Sequence, residues 1–306
     1  MADLGPPQPV LQRERFRLRI LTWRQQSQWF DVSYRVARER RGQIAIVILG
    51  VFIVAAIFAD QIAPYHYETQ LRGSRLLAPS WSHPFGTDEV SRDLLSRMIY
   101  GLRISLLVSL GAVAIGLPIG VAIGYTAGYI GRWVDAILMR LVDTMLAFPG
   151  ILVALVILTV LGTGTREVAI TLGIGAIPIF GRLARGQMLQ EKERDYVMAA
   201  RTLGSGPVRI IMRHVAINTL PPIMIQAALV MAFAVIAEAS LSFLGLGASP
   251  PIPTIGLILN AAREFLIIGA WWFALMPIAA LALMLIALNF LADAILEATS
   301  PYVRNK

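Results

Sequence analysis

Few acidic side chains interrupt the apolar part of this 306-residue chain, and two of them stand where chemistry is conceivable. Glu238 is the only acid deep within its apolar run, and it precedes the string ASLSFLGLG, residues 239–247. A carboxylate in hydrocarbon is expensive, so it either serves a solute or proton path or is tied by hydrogen bonds to Ser240, Ser242 or a neighbouring helix. Asp143 follows Asp135 and Arg140 at the start of another apolar run, with Arg132 close by, and these charges are spaced to pair along one helix. Asp143 must then face protein or water, not lipid. Nothing resembles a catalytic constellation. Cysteine is absent, which excludes disulfides, thiol nucleophiles and thiolate metal sites. His66, His83 and His214 are scattered, without the convergent spacing of a closed metal centre. No Gly-x-x-x-x-Gly-Lys-Ser/Thr loop is present, so the chain is not expected to hydrolyse ATP or to be an enzyme.

The longest polar interruption in the second half runs from Asp195 to Pro222. Helix formers fill Asp195 to Leu203, with Ala199 and Ala200 adjacent. Gly204 can end that helix in a left-handed conformation and Pro207 can start the next. The result is two short helices about a fixed corner. Arg201, Arg209 and Arg213 keep it out of lipid, and a small-residue patch beside a rigid turn suits the close approach of a soluble partner. An amphipathic helix lying on the membrane surface is the alternative.

The pattern Tyr196, Ala199, Ala200, Arg201, Leu203, Gly204, then Asn218, Leu220 and Pro221, resembles the cytoplasmic loop of permease subunits in bacterial ATP-binding-cassette (ABC) importers, with Met198 where that family usually has Glu. Three further strings are similar to the dipeptide and oligopeptide importers' second, C-type permease. They are HPFGTDEVSRDLLSRMIYGLRISL at 83–106, with Ser91 where Gly is usual; the run Asp135, Met139, Arg140, Asp143, Ala147, Phe148, Pro149; and ASLSFLGLG itself. The resemblance implies an all-α, polytopic protein of the bacterial inner membrane that docks an ATPase through Asp195, Tyr196, Ala199, Ala200, Arg201, Leu203 and Gly204. It implies as partners a second permease, two ATPase subunits or domains that hold ATP and Mg, and an external binding protein, with no nucleic acid. The implied solute is a di- or oligopeptide, with nickel or another small solute as the alternative. An ion-coupled secondary transporter built on Glu238 and Asp143 belongs to a different class and would ordinarily carry an internal repeat, which is not evident here.

Composition and spacing set the frame for these residues. With 57% hydrophobic and 15% charged residues the chain reads as an integral membrane protein, and its net charge of +8 reflects membrane topology rather than nucleic-acid binding. Six spans are expected, at residues 44–63, 104–130, 134–161, 168–183, 219–244 and 270–292; the fourth is short and holds Pro178. The organisation expected is a basic segment 1–43, a first span with an external segment 44–103, and a core 104–306 containing the docking loop 182–218. Residues 1–43 carry nine arginines, and Trp23, Trp29 and Phe30 are suited to the headgroup region. With both termini cytoplasmic, the inner segments hold 20 of the Lys and Arg residues and the outer ones 7. In the outer segment, a turn at Gly86-Thr87-Asp88 is expected to let Asp88 cap a helix that lies across the outer face, with Asp93 and Arg97 as an i, i+4 pair. Trp271 and Trp272 are expected to mark re-entry at the interface. Gly116, Gly120, Gly124 and Gly128 share one helical face and predict a close helix contact. Single cysteines at Ser82 and Ser205 should therefore label from opposite sides of the membrane, and labelling of both by an impermeant reagent from outside would end the six-span topology.

Overall fold

The computed structural model describes residues 32–299, and within them it contains helices and no strand. The arginine-rich prelude through Phe30, with Trp23 and Trp29, and the closing Arg304 and Lys306 lie outside the described residues. A short helix at 32–38 leads into α1 (Arg40–Ile57). After one further turn, Ala59–Ile62, comes the irregular segment 63–93 and then α2 (Leu94–Ile130). Next are α3 (Arg132–Leu146), α4 (Gly150–Leu161), α5 (Thr165–Glu191) and the short α6 (Asp195–Thr202). The chain closes with α7 (Pro207–Phe243), α8 (Ile255–Phe265) and α9 (Trp272–Thr299). Helices α1, α2, α5, α7 and α9 are each long and apolar enough to cross a membrane.

The third expected span departs from a single helix. Its two halves, α3 and α4, meet at a bend of 91°. Pro149 explains the break: it has no amide proton to continue the ladder and holds the residue before it away from the helical region. The fourth span is longer than expected, because α5 continues through the polar run Gly181–Glu191 and so reaches full spanning length.

Segment 63–93 also corrects the expectation. No separate helix lies across the outer face there; the helix begins at Leu94 and runs unbroken into α2. Its cap is Asp93, not Asp88, for the Asp93 carboxylate accepts from the Ser96 amide at 2.8 Å and hydroxyl at 2.7 Å. The other Asp93 oxygen meets His83 Nδ1 at 3.0 Å. Asp88 instead closes the preceding loop, accepting from the amides of Val90 and Arg92 and from Arg92 Nε, and Arg97 lies beside it at 3.5 Å instead of pairing with Asp93. Trp272 is not an interfacial anchor: it is buried beneath this segment against Gly86, whereas Trp271 is exposed. Around these contacts Leu94, Met98 and Leu102 of α2 pack with Ile255 and Ile258 of α8 and with Phe273, Met284 and Leu288 of α9.

The glycine face of α2 closes on α5. A Cβ at Gly120 would lie 2.5 Å from the Ile177 carbonyl oxygen, and one at Gly124 would lie 2.3 Å from that of Gly181. Gly116 faces Ala176 and Gly128 faces Met188 in the same way. Backbone meets backbone along about three turns, which is how helices associate where the hydrophobic effect gives no pull. Gly124→Val has no side chain able to yield, so it should cost about 1–3 kcal/mol in overpacking and lower the thermal midpoint in detergent. Gly186→Ala, which meets nothing within 4 Å, should leave the midpoint unchanged; equal melting of both variants would contradict the seam.

Candidate functional site

The corner at the Gly128 end of α2 is built by short-range rules. In α6, Asp195 sits in the first turn and Arg201 in the last, each complementing the helix dipole. Gly204 has φ +77°, its amide donates to the Arg201 carbonyl at 2.9 Å, and the Ser205 amide donates to that of Ala200 at 3.0 Å. These paired bonds close the helix as a Schellman motif, which needs a left-handed residue at the glycine position. Pro207 then opens α7, and its next turn, Ile211–Val215, widens to π geometry. Asn218 Nδ2 donates to the His214 carbonyl at 3.0 Å and Thr219 Oγ1 to that of Val215 at 3.0 Å. Thr219 also shares a hydrogen bond with the Tyr125 hydroxyl on α2.

The seven residues expected at a docking surface divide between two faces. Ala200 turns inward with Val197, packing in one cluster with Tyr125, Ala184, Met188, Ile210 and Val215. Tyr196 is half-buried, and its hydroxyl donates to the Glu191 carboxylate; burial and that bond push its pKa up to about 12. Asp195, Ala199, Arg201, Leu203 and Gly204 face outward, with Leu203 at 86% exposure. The Arg201 guanidinium lies 5.2 Å over the Tyr129 ring, which ties the corner to α2. Met198, Val208 and Met212 add three more uncovered apolar side chains. Their exposure was hidden in the sequence, because which side of so short a helix is covered depends on α2 and α5.

The two acids singled out from sequence take different positions. Glu238 is 1% exposed, and its oxygens accept from Ser105 of α2 and Ser242, both at 2.7 Å, while Ser240 bonds instead to the Ile236 carbonyl. It thereby joins α7 to α2. Asp135 and Asp143 do not pair within α3. Arg185 on α5 grips Asp135 with two bonds, at 2.5 and 2.6 Å, and Arg182 on α5 meets Asp143. Arg182 and Arg185, three residues apart where α5 turns from apolar to polar, carried the signal for these partners, since charge at the border of an apolar span favours a counter-charge. The three histidines remain apart, His66 stacking near Tyr67 and Tyr100, and His214 near Tyr196.

Comparison with known proteins agrees with this arrangement. Residues 116–305 match the family described as binding-protein-dependent transport system inner membrane component, and residues 27–79 match the N-terminal transmembrane domain of oligopeptide transport permease C. The dipeptide transport system permease protein DppC of Alkalihalophilus pseudofirmus is 37% identical over 279 residues, 91% of each chain. The glutathione transport system permease protein GsiD of Shigella flexneri is 38% identical over 303 residues, 94% of this chain and all of that one. Among solved structures, an inward-facing form of the MetNI methionine ABC transporter aligns with a TM-score of 0.52 at 19% identity, covering 68% of this chain and 97% of its own, a likeness of fold. A spanning helical bundle of this fold, matched along nearly its whole length by such relatives, belongs to the binding-protein-dependent transport system inner membrane components: it is a multi-pass permease subunit of an ABC importer and not an enzyme.

Proposed function

We propose that this permease pairs with a second, different permease, takes small peptides from an external binding protein, and is driven by two ATPase subunits or domains that hold the ATP and Mg. The peptide assignment rests on the names of its relatives, a dipeptide and a glutathione permease. The observation that carries the ATPase assignment is the corner at Gly204. There Met198, Leu203, Val208 and Met212 stand uncovered on a rigid scaffold beside arginines that lipid would not accept. Asp195, Tyr196, Ala199, Arg201, Leu203 and Gly204 would meet or shape that contact, while Ala200 seats the helix from inside.

The arginine balance puts this corner, loop 182–218 and both termini in the cytoplasm, and segment 63–93 outside. On this reading segment 1–43 is a basic cytoplasmic lead, 44–103 the first span with its outer segment, and 104–306 the transporting core. ATP binding closes the ATPases and draws the corner with them, biasing the permease pair toward the outward-open state; hydrolysis returns it. Glu238, with both oxygens occupied, holds α7 to α2 during this motion.

Gly204→Val puts a β-branched residue at φ +77° and should misdirect the corner without touching the membrane helices. Membrane abundance should stay near normal while peptide uptake falls by about tenfold or more, equivalent to about 1.4 kcal/mol of lost coupling, and the ATPase co-purifies poorly. Gly204→Asn, which tolerates the left-handed conformation, should retain most uptake. Leu203→Asp should lose uptake as Gly204→Val does, through the contact itself. Unchanged uptake and co-purification in Gly204→Val and Leu203→Asp would remove the docking role.

A further inference from the structure

Two features of the α3–α5 face cannot lie against lipid. The first is the elbow at Ala147–Pro149, where the chain leaves helical geometry between the amphipathic α3 and the apolar α4 and every residue from Asp143 to Leu152 is exposed. Irregular backbone at membrane depth is tolerated only against protein or a water-filled space. The second is the Asp143–Arg182 pair, whose side chains remain 57% and 61% exposed. Arg182 lies about 14 Å from the Glu191 end of α5 and about 26 Å from its Thr165 end, where the apolar part of the helix gives way to its polar run. The neighbouring Asp135–Arg185 pair, nearer the helix end, is more covered and doubly bonded.

Beside the exposed pair opens a cavity of about 640 Å³, bounded by the elbow, α5 and α7. Thr144, Phe148, Ile151, Thr171, Ile179 and Phe233 are among its lining. Thr144 follows Asp143 directly, and Ile179 lies one turn from Arg182 on the same side of α5, so the ion pair stands at the cavity's edge. The wall is apolar, but the Thr171 hydroxyl is buried there without a hydrogen-bond partner among the described residues.

We propose that this groove contacts the travelling solute, and that Asp143 and Arg182 open to receive a zwitterionic peptide, the carboxylate of Asp143 taking its ammonium and the guanidinium of Arg182 its carboxylate. This rests on the peptide reading above. The charges match: the pair is neutral as a whole, holds one group of each sign, and exchanges its internal bond for two of the same kind. The adjoining cavity takes an apolar peptide side chain, and the fixed Asp135–Arg185 pair keeps α3 on α5 while the outer pair opens.

The chain has no cysteine of its own, so Thr144→Cys can be probed in the assembled importer in nanodiscs, with a partner complex stripped of reactive cysteines. A water-soluble maleimide should label it, and a transported dipeptide with its binding protein and ATP should slow labelling by about tenfold. Adding Arg182→Gln should abolish that protection while labelling persists, and Arg182→Lys should restore it in part. No labelling would mean that the second permease or lipid covers the groove, and labelling without protection would mean an aqueous face that the peptide does not touch; either overturns the site. Dipeptide uptake by the same wild-type importer is measured in parallel. Uptake without protection sinks this site alone, whereas absence of uptake sinks the peptide reading and the site with it.

Discussion

The approach of α2 to α5 is the contact on which the other features depend. At Gly124 the two backbones are separated by less than a methyl group requires, so the helices have one register and one separation available. That fixes the direction in which Arg182 and Arg185 leave α5, and through them the placement of α3. It also fixes the end of α5, where Lys192 donates to the Gly128 carbonyl at 3.1 Å, and therefore the point from which α6 starts. A solvent-facing corner with no span of its own is thus referenced to the tightest helix contact among the described residues.

From that corner the path back into the membrane is less regular. The π turn at Ile211–Val215 and the consecutive Pro221 and Pro222 both interrupt the hydrogen-bond ladder at the start of α7. α7 is tied to α2 by Thr219, between the π turn and Pro221, which bonds Tyr125, and toward its far end by Glu238, which bonds Ser105. The turns before Thr219, the π turn among them, lie ahead of both ties and can shift while the rest of the helix stays in place. Force applied at Gly204 would meet the π turn before it reached the rest of α7.

Much of this was legible in the sequence where local rules decide. Four glycines at four-residue spacing announced the α2 seam, and Gly204 and Pro207 announced the corner, because backbone permissiveness and the missing amide act on a single residue. Distant partners were not legible. Asp135 and Asp143 were expected to find neighbours on their own helix, yet their arginines lie some forty to fifty positions later, brought close only by the glycine contact. Asp88 and Asp93 exchanged roles for a related reason: both are good caps, and the choice between them was made by His83 and by the burial of Trp272 beneath the loop. Ala200 looked like part of an outward patch until the core beneath it, from Tyr125 to Val215, determined which side of α6 is covered.

The central claim is that the corner at Gly204 is where an ATPase grips this permease. A single cysteine at Leu203, the most exposed apolar side chain of the corner, can be joined to the surrounding subunits by a short bifunctional reagent in the purified importer, and the products identified by mass. The claim predicts an adduct between this chain and the ATPase whose yield changes when a non-hydrolysable ATP analogue is bound. An adduct with lipid or the second permease only, or none at all, would contradict it.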